Sequence, residues 1–237
     1  MFSRLLHTIA DFLAPPICPL CRQDIFLDAS GICEACQATL PQMPERRCRL
    51  CGGPNDSHLE ICGDCARLED TPPWQVAVAA FPFSGPVRRA IHAFKYQGQL
   101  ALAPFLAHRM VEEWHHTSAL PNIDMVTHIP LHLWRFLNRG YNQAAILANL
   151  VAKQLGVPER TLLTRTRSTG QQARLSPDAR RRNVAKAFQP LFPKRLRGLS
   201  LLLIDDVFTT GATLTAAAKT LLKAGAGQVS ILTIAKD

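Results

Sequence analysis

Residues 200–213 read SLLLIDDVFTTGAT, an apolar run that ends in two adjacent acids and then in small hydroxyl residues around one glycine. Asp205 and Asp206 bring carboxylates, which when ionised only accept hydrogen bonds and so suit a pair of vicinal hydroxyls. Thr209, Thr210, Gly211, Ala212 and Thr213 supply backbone N–H groups and hydroxyls at the start of a predicted helix, whose positive end favours a phosphate. Gly211 lets the backbone come close to such a group. The stretch therefore fits a cradle for a ribose 5-phosphate. It is not an ordinary phosphate loop, because the lysine of GxxxxGK[ST] is missing, and the chain has no GxGxxG.

A second chemistry is written in the cysteines. All eight lie between residues 18 and 65, as four C-x2-C pairs: Cys18 and Cys21, Cys33 and Cys36, Cys48 and Cys51, Cys62 and Cys65. Two such knuckles supply the four thiolates of a tetrahedral zinc site, with sulfurs about 2.3 Å from the metal, so eight imply two structural zinc ions. CPLC at 18 is echoed by CRLC at 48, and ICEAC at 32 by ICGDC at 61. That repeat of about 30 residues assigns the first two pairs to one zinc and the last two to the other, a double zinc ribbon. A thioredoxin-like redox pair needs only one C-x2-C beside a βαβ unit, and four thiolates can also hold an iron–sulfur cluster. No His or Glu base stands near an open coordination position, so the metal reads as a replacement for the core that so short a stretch cannot build.

The elements that must position these groups follow from hydrophobic periodicity. TPPWQ at 71–75 reads as a linker, since adjacent prolines resist helix and central strand alike. Beyond it, VAVAAFPF, IDMVTHIPL, LSLLLIDDV and QVSILTIAK read as strands. VRRAIHAFKYQ, LALAPFLAHRMVEEWHH, NQAAILANLVAKQLG and TLTAAAKTLLKAG read as helices, the last two closing on Gly156 and Gly225. Strands apolar on both faces that alternate with helices specify an α/β fold with a mostly parallel sheet covered on each side. Ligands of such sheets lie beyond the carboxyl ends of the strands, which is where Asp205 and Asp206 fall. The expected organisation is an N-terminal segment 1–17, the double ribbon 18–70, a linker 71–76 and the α/β domain 77–237.

With 237 residues, 47% of them hydrophobic, the chain can bury a substantial core, and its net charge of +9 favours anionic partners. From Arg160 to Gly198 eleven basic residues face Asp178 alone. Arg165, Arg167, Arg174, Arg180, Arg181, Arg182 and Lys186 are the candidate nucleic-acid contacts in that segment. A solvated charged face and a hood over pyrophosphate are the competing readings. Only Phe188 and Phe192 could stack bases there. Tyr96, Trp134, Phe136 and Tyr141 lie beside basic residues elsewhere and suit a core equally well. Arg4, His7 and Asp11 interrupt the opening MFSRLLHTIADFLAPP, which reads as a docked terminal helix rather than a signal peptide or membrane anchor, and no run is long enough to span a membrane. Cysteines spaced so regularly as C-x2-C pairs, without a secretory signal, point to a reducing compartment, the cytoplasm.

LLLIDDVFTTGAT resembles the 5-phosphoribosyl 1-pyrophosphate (PRPP) motif of type I phosphoribosyltransferases. The resemblance implies that Asp205 and Asp206 contact the ribose hydroxyls and that Thr209–Thr213 hold the 5-phosphate, with Mg2+ helping to hold pyrophosphate. It also implies a pyrophosphate loop near His128, Ile129, Pro130 and Leu131. With the cysteine knuckles, FKYQG at 94, IPL at 129, RGYNQA at 139, RTRSTGQ at 165, RRN at 181 and AF at 187, the chain resembles the ComF family over nearly its full length. That resemblance implies a protein handling single-stranded DNA in competence or DNA utilisation, with the DNA-uptake machinery as a partner. Turnover is left open between a phosphoribosyltransferase and a nucleotide sensor. A transferase would displace pyrophosphate from the anomeric carbon, with Arg135 and Arg139 as candidates to neutralise the leaving group. His92, His128 and His132 are the candidate bases.

Overall fold

The structure is a computed structural model that describes residues 17–25, 31–118, 120–166, 187–193 and 196–237. Its centre is a four-stranded, wholly parallel sheet. The strands are β1 (Ala77–Pro82), β2 (Met125–His128), β5 (Ser200–Phe208) and β6 (Gln228–Lys236), in the order β1-β6-β5-β2. The two long central strands, β5 and β6, are buried on both faces except at their ends, as a run such as SLLLI requires. Two short strands, β3 (Leu163–Arg165) and β4 (Phe188–Pro190), form a separate antiparallel pair that periodicity did not reveal.

Side chains alternate along β5, so each face of the sheet collects its own core. Leu202 and Ile204 pack with α3 (Gly85–Tyr96), α4 (Leu102–His116) and α6 (Gln143–Leu155). Leu201 and Leu203 pack with α7 (Ala212–Lys223) on the opposite side. The helix starts and stops follow local chemistry. Asn142 caps α6 by accepting from the Ala144 amide at 3.0 Å, and Gly156 ends it in the left-handed conformation. A seven-residue helix, α5 (Leu133–Arg139), was not foreseen because it spans only two turns, too few to show a sustained period, and none of its residues is buried.

The cysteine segment is not an appendage. It contributes α1 (Glu34–Ala38) and α2 (Gly63–Ala66), each beginning directly after a ligand cysteine, Cys33 or Cys62. The first ribbon buries Cys18, Ile25, Ile32 and Leu40 in the core that holds α4 and α6. The second buries Cys48, Leu50 and Cys51 in the core that holds α7. The two ribbons thus straddle β1, an edge strand. The Ala77 amide donates to Arg49 O at 2.8 Å, which covers part of an otherwise open edge. Gly52 makes this approach possible: its φ is +71°, and a Cβ there would stand 2.8 Å from the Ala79 nitrogen. On the other face a charged contact joins the ribbon segment to α4, with Arg47 Nη1 2.5 Å from the buried Glu113 carboxylate, which also accepts from Arg109 at 3.1 Å.

Candidate functional site

The strand β5 runs through both acids before it ends, and because neighbouring strand residues face opposite ways, Asp205 and Asp206 meet different surroundings. Asp206 is buried on the α6 side. Lys95 Nζ lies 2.7 Å from its Oδ1, and Gln143 donates to its Oδ2 at 2.5 Å. Asp205 accepts from the Asp206 amide at 2.9 Å. Burial, reinforced by the Asp206 charge, pushes its carboxyl up to about 7, against the opposing pull of that amide, Lys95 and Arg165. The Asp205 carboxyl is thus raised toward neutrality, and Asp206 is paired with the Lys95 ammonium.

Beyond Phe208 the chain turns through Thr209, Thr210 and Gly211 into α7. Gly211 stands at the helix N-cap with φ +73° and ψ −2°, a left-handed conformation, and a Cβ there would meet the Phe208 ring at 2.9 Å. Thr209 and Thr210 are exposed, and Ala212 and Thr213 half-buried. The first amides of α7 have no carbonyl partner within the helix and point out of its positive end, the arrangement that suits a phosphate. Sequence reasoning placed this turn correctly from the T-x-G-x-T spacing.

Beside the acids lies an open cleft of about 390 Å3 lined by Lys95, Tyr96, Gly98, Arg135, Asn138, Arg139 and Tyr141. The last turn of α3 and the exposed helix α5 form its walls. His132 starts α5 by accepting from the Trp134 amide, and Gly140, with φ +80°, ends it. The cleft residues are tied to Asp206 through a closed circuit. Arg139 lies over the Tyr96 ring, 4.8 Å from its centroid, and donates to Gln143, which donates to Asp206, which binds Lys95, the chain neighbour of Tyr96. Lys95 and Gln143 were given no role from the sequence. Their signal lay in the FKYQG and RGYNQA motifs, where a cation and an amide have no reason of their own to be buried.

The other sequence-derived residues fall as follows. Pro130 is buried and Leu131 half-buried just after β2, and the Ile129 amide donates to Ile204 O at 3.0 Å, next to the acids. His128 is buried and its Nδ1 is engaged by Glu159 at 3.0 Å; burial lowers its pKa, while Glu159 opposes the shift. His92 is exposed, and its ring meets that of Tyr96 at a tilt of 48° with centroids 5.0 Å apart. Arg165 lies 5.5 Å over the Phe188 ring, and burial, with Arg135 close by, lowers its pKa against the pull of Asp205. Arg167, Arg174, Arg180, Arg181, Arg182 and Lys186 lie outside the described residues.

The cysteines gather into two clusters, Cys18, Cys21, Cys33 and Cys36 in one, Cys48, Cys51, Cys62 and Cys65 in the other, with all sulfurs of a cluster within 4.8 Å of one another. This is the grouping that the repeat predicted. The donor set fits zinc: four thiols, no carboxylate and no histidine in either cluster. Burial pushes the Cys18 thiol up, yet amides of Cys33, Cys21 and Leu20, with the Cys21 side chain, outweigh it and hold the group at about 6. Cys48 is drawn down to about 4, first by the Cys51 thiol and then, against burial, by the amides of Cys62, Cys51 and Leu50. Each cluster thus stabilises a thiolate, the form that binds metal.

Comparison with known proteins is consistent with both halves. Residues 9–66 match the double zinc ribbon domain and residues 142–237 the phosphoribosyl transferase domain. The architecture is accordingly a type I phosphoribosyltransferase fold preceded by a double zinc ribbon. A DNA utilization protein of Escherichia coli O157:H7, YhgH, is 34% identical over 222 residues, covering 92% of this chain and 95% of its own. Its counterpart in Salmonella typhi is 33% identical over 221 residues with the same coverage. Competence protein F of Haemophilus influenzae is 30% identical over 228 residues, covering 92% of this chain and 96% of its own.

Proposed function

Because the chain belongs to the ComF family of competence and DNA-utilisation proteins, we propose that it handles single-stranded DNA and binds PRPP, or a related ribose 5-phosphate, at the end of β5. The observation that supports this most directly is a juxtaposition. A strand end bearing Asp205 and Asp206, a phosphate-holding turn at Gly211 and a cationic cleft of Lys95, Arg135 and Arg139 lie side by side. The turn takes the 5-phosphate, Asp205 accepts from ribose hydroxyls, and the cleft offers positive charge to the phosphates on the other side of the sugar. Mg2+ would supply further charge neutralisation for a pyrophosphate group.

In a transfer reaction the bond from the anomeric carbon to pyrophosphate breaks as a bond to the acceptor forms, and pyrophosphate leaves with both electrons. Arg135 and Arg139 stand where that growing negative charge would be met by fixed cations. His128, committed to Glu159, is a positioning group rather than a base. A nucleotide-binding role without turnover is the second reading, favoured by the absence of an exposed base among the described residues that line the cleft. The two zinc ions are structural, and eight cysteine ligands suit the reducing cytoplasm.

Titration calorimetry of the zinc-loaded protein with PRPP and Mg2+, repeated with D205A/D206A, tests the reading. Saturable heat in the wild type that vanishes in the variant is the expected result. No binding by a folded wild type would leave the PRPP reading without support.

A further inference from the structure

Of three tryptophans, Trp74 and Trp114 are buried, whereas Trp134 on α5 is 68% exposed; Phe136 and Tyr96 are 44% and 64% exposed. They surround cations. With about 100° between successive helical residues, Arg135, Asn138 and Arg139 share one face of α5, the face that lines the cleft. Trp134 and Phe136 then flank that face, one on each side. Across the cleft Tyr96 presents its ring under Arg139, next to Lys95.

From this arrangement we infer that α5 and the last turn of α3 form a stacking platform for single-stranded DNA. The inference rests on the DNA-handling reading above. Three features favour this occupant over a protein helix or a second copy of the chain. The stripe of α5 that lines the cleft is cationic and polar, so it matches a phosphodiester backbone, while the exposed Leu133 and Leu137 lie on the opposite face, outside the cleft. Large rings stand beside that stripe, where bases splayed from the backbone would lie, and stacking on them requires no particular sequence. The cleft, at about 390 Å3, is at the small end of ligand-sized sites, so in the absence of PRPP it admits one nucleotide while its neighbours remain outside on Trp134 and Phe136. Duplex DNA, with its bases stacked inward, offers these rings nothing.

The test is fluorescence anisotropy of a labelled oligothymidylate of about 20 nucleotides with the full-length, zinc-loaded protein, followed in parallel by tryptophan emission. Neither Trp134 nor Phe136 takes part in the circuit around Asp206. We expect W134A and F136A each to weaken binding by about tenfold or more, and W134F to stay within about threefold, because a ring is retained. DNA should quench the exposed-tryptophan emission of the wild type and not of W134F. R135Q should lower the slope of log affinity against log salt by about 0.7, the share of one phosphate on a single strand. Wild-type affinity and unchanged emission in W134A and F136A would overturn the platform while leaving DNA binding to other residues. Failure of the wild type to bind would overturn the DNA-handling reading and the platform with it. A fall in molecular mass of W134A in solution would identify α5 as a contact between copies of the chain, which also excludes the platform.

Discussion

The indole N–H of Trp74 donates to the carbonyl of Leu50 at 2.8 Å, inside the C-x2-C knuckle of the second ribbon, and the same indole meets the Phe208 ring edge-on at 5.8 Å. Phe208 in turn lies under Gly211. A continuous contact path therefore runs from the second tetracysteine cluster to the turn at Gly211.

Loss of the second metal should be felt at that turn. C62S is expected to retain about one zinc ion per chain of the two that the clusters specify, and to lose stability because structural zinc contributes folding free energy directly. Zinc release measured with a colorimetric chelator, alongside urea denaturation, checks both. W74F removes the donor while keeping a ring. It should hold both metals but fall in stability by about 1–3 kcal/mol, since the Leu50 carbonyl is left buried without its partner. Unchanged stability in W74F would break the proposed path.

The Lys95–Asp206 pair, at 2.7 Å and largely shielded from water, should behave as a unit. K95M leaves a buried carboxylate with one partner, Gln143, and is expected to cost about 3–5 kcal/mol. D206N added to K95M should recover part of that loss, because no charge then remains to be solvated. A double-mutant cycle by chemical denaturation gives the coupling; additive losses would show the pair to be independent.

Asp205 carries a pH dependence of defined sign. Its folded value of about 7 lies above the ordinary carboxyl value of about 4, so the folded state binds the extra proton between those limits. Its contribution to stability is fully present below about pH 4 and is lost as pH rises through about 7. D205N should flatten this part of the curve. Binding of PRPP with Mg2+, which calls for the ionised acid, should run the other way and tighten between pH 6 and pH 8 (about neutrality on either side of that value). Calorimetry at both pH values decides it, and equal affinities would count against Asp205 as a ligand group.

Gly211 tolerates no side chain. G211A imposes a left-handed conformation on alanine and sets its Cβ against Phe208 at 2.9 Å. A loss of about 1 kcal/mol or more is expected, with a larger loss of PRPP affinity than of stability. Thermal unfolding and calorimetry on the same preparation separate the two effects.

Local patterns carried much of this. The C-x2-C repeat was enough to pair the cysteines into Cys18, Cys21, Cys33 and Cys36 and Cys48, Cys51, Cys62 and Cys65, because tight knuckles act over a few residues. The continuous apolar run into Asp205 and Asp206 identified a central parallel strand, and the Thr209–Thr213 spacing a turn into a helix. The short strands β3 and β4 and the exposed α5 escaped, since three paired residues show no periodicity and two helical turns are too few to sustain one.

Other features depend on groups far apart in the chain. Tyr96, Trp134 and Phe136 could have been core until folding left them exposed. Lys95 and Gln143 became partners of Asp206 only when α3 and α6 packed on one face of the sheet, more than 60 residues from it in the case of Gln143. Adjacent letters suggested two equivalent acids, but the pleat of β5 turned one toward Lys95 and Gln143 and left the other where burial raises its carboxyl, against the pull of Lys95 and Arg165. Residue types and short spacings thus determined the two tetracysteine clusters and the order of paired acids, turn and helix at the end of β5. Tertiary packing decided which side chains share a site, because burial and long-range pairing set charge, proton affinity and exposure.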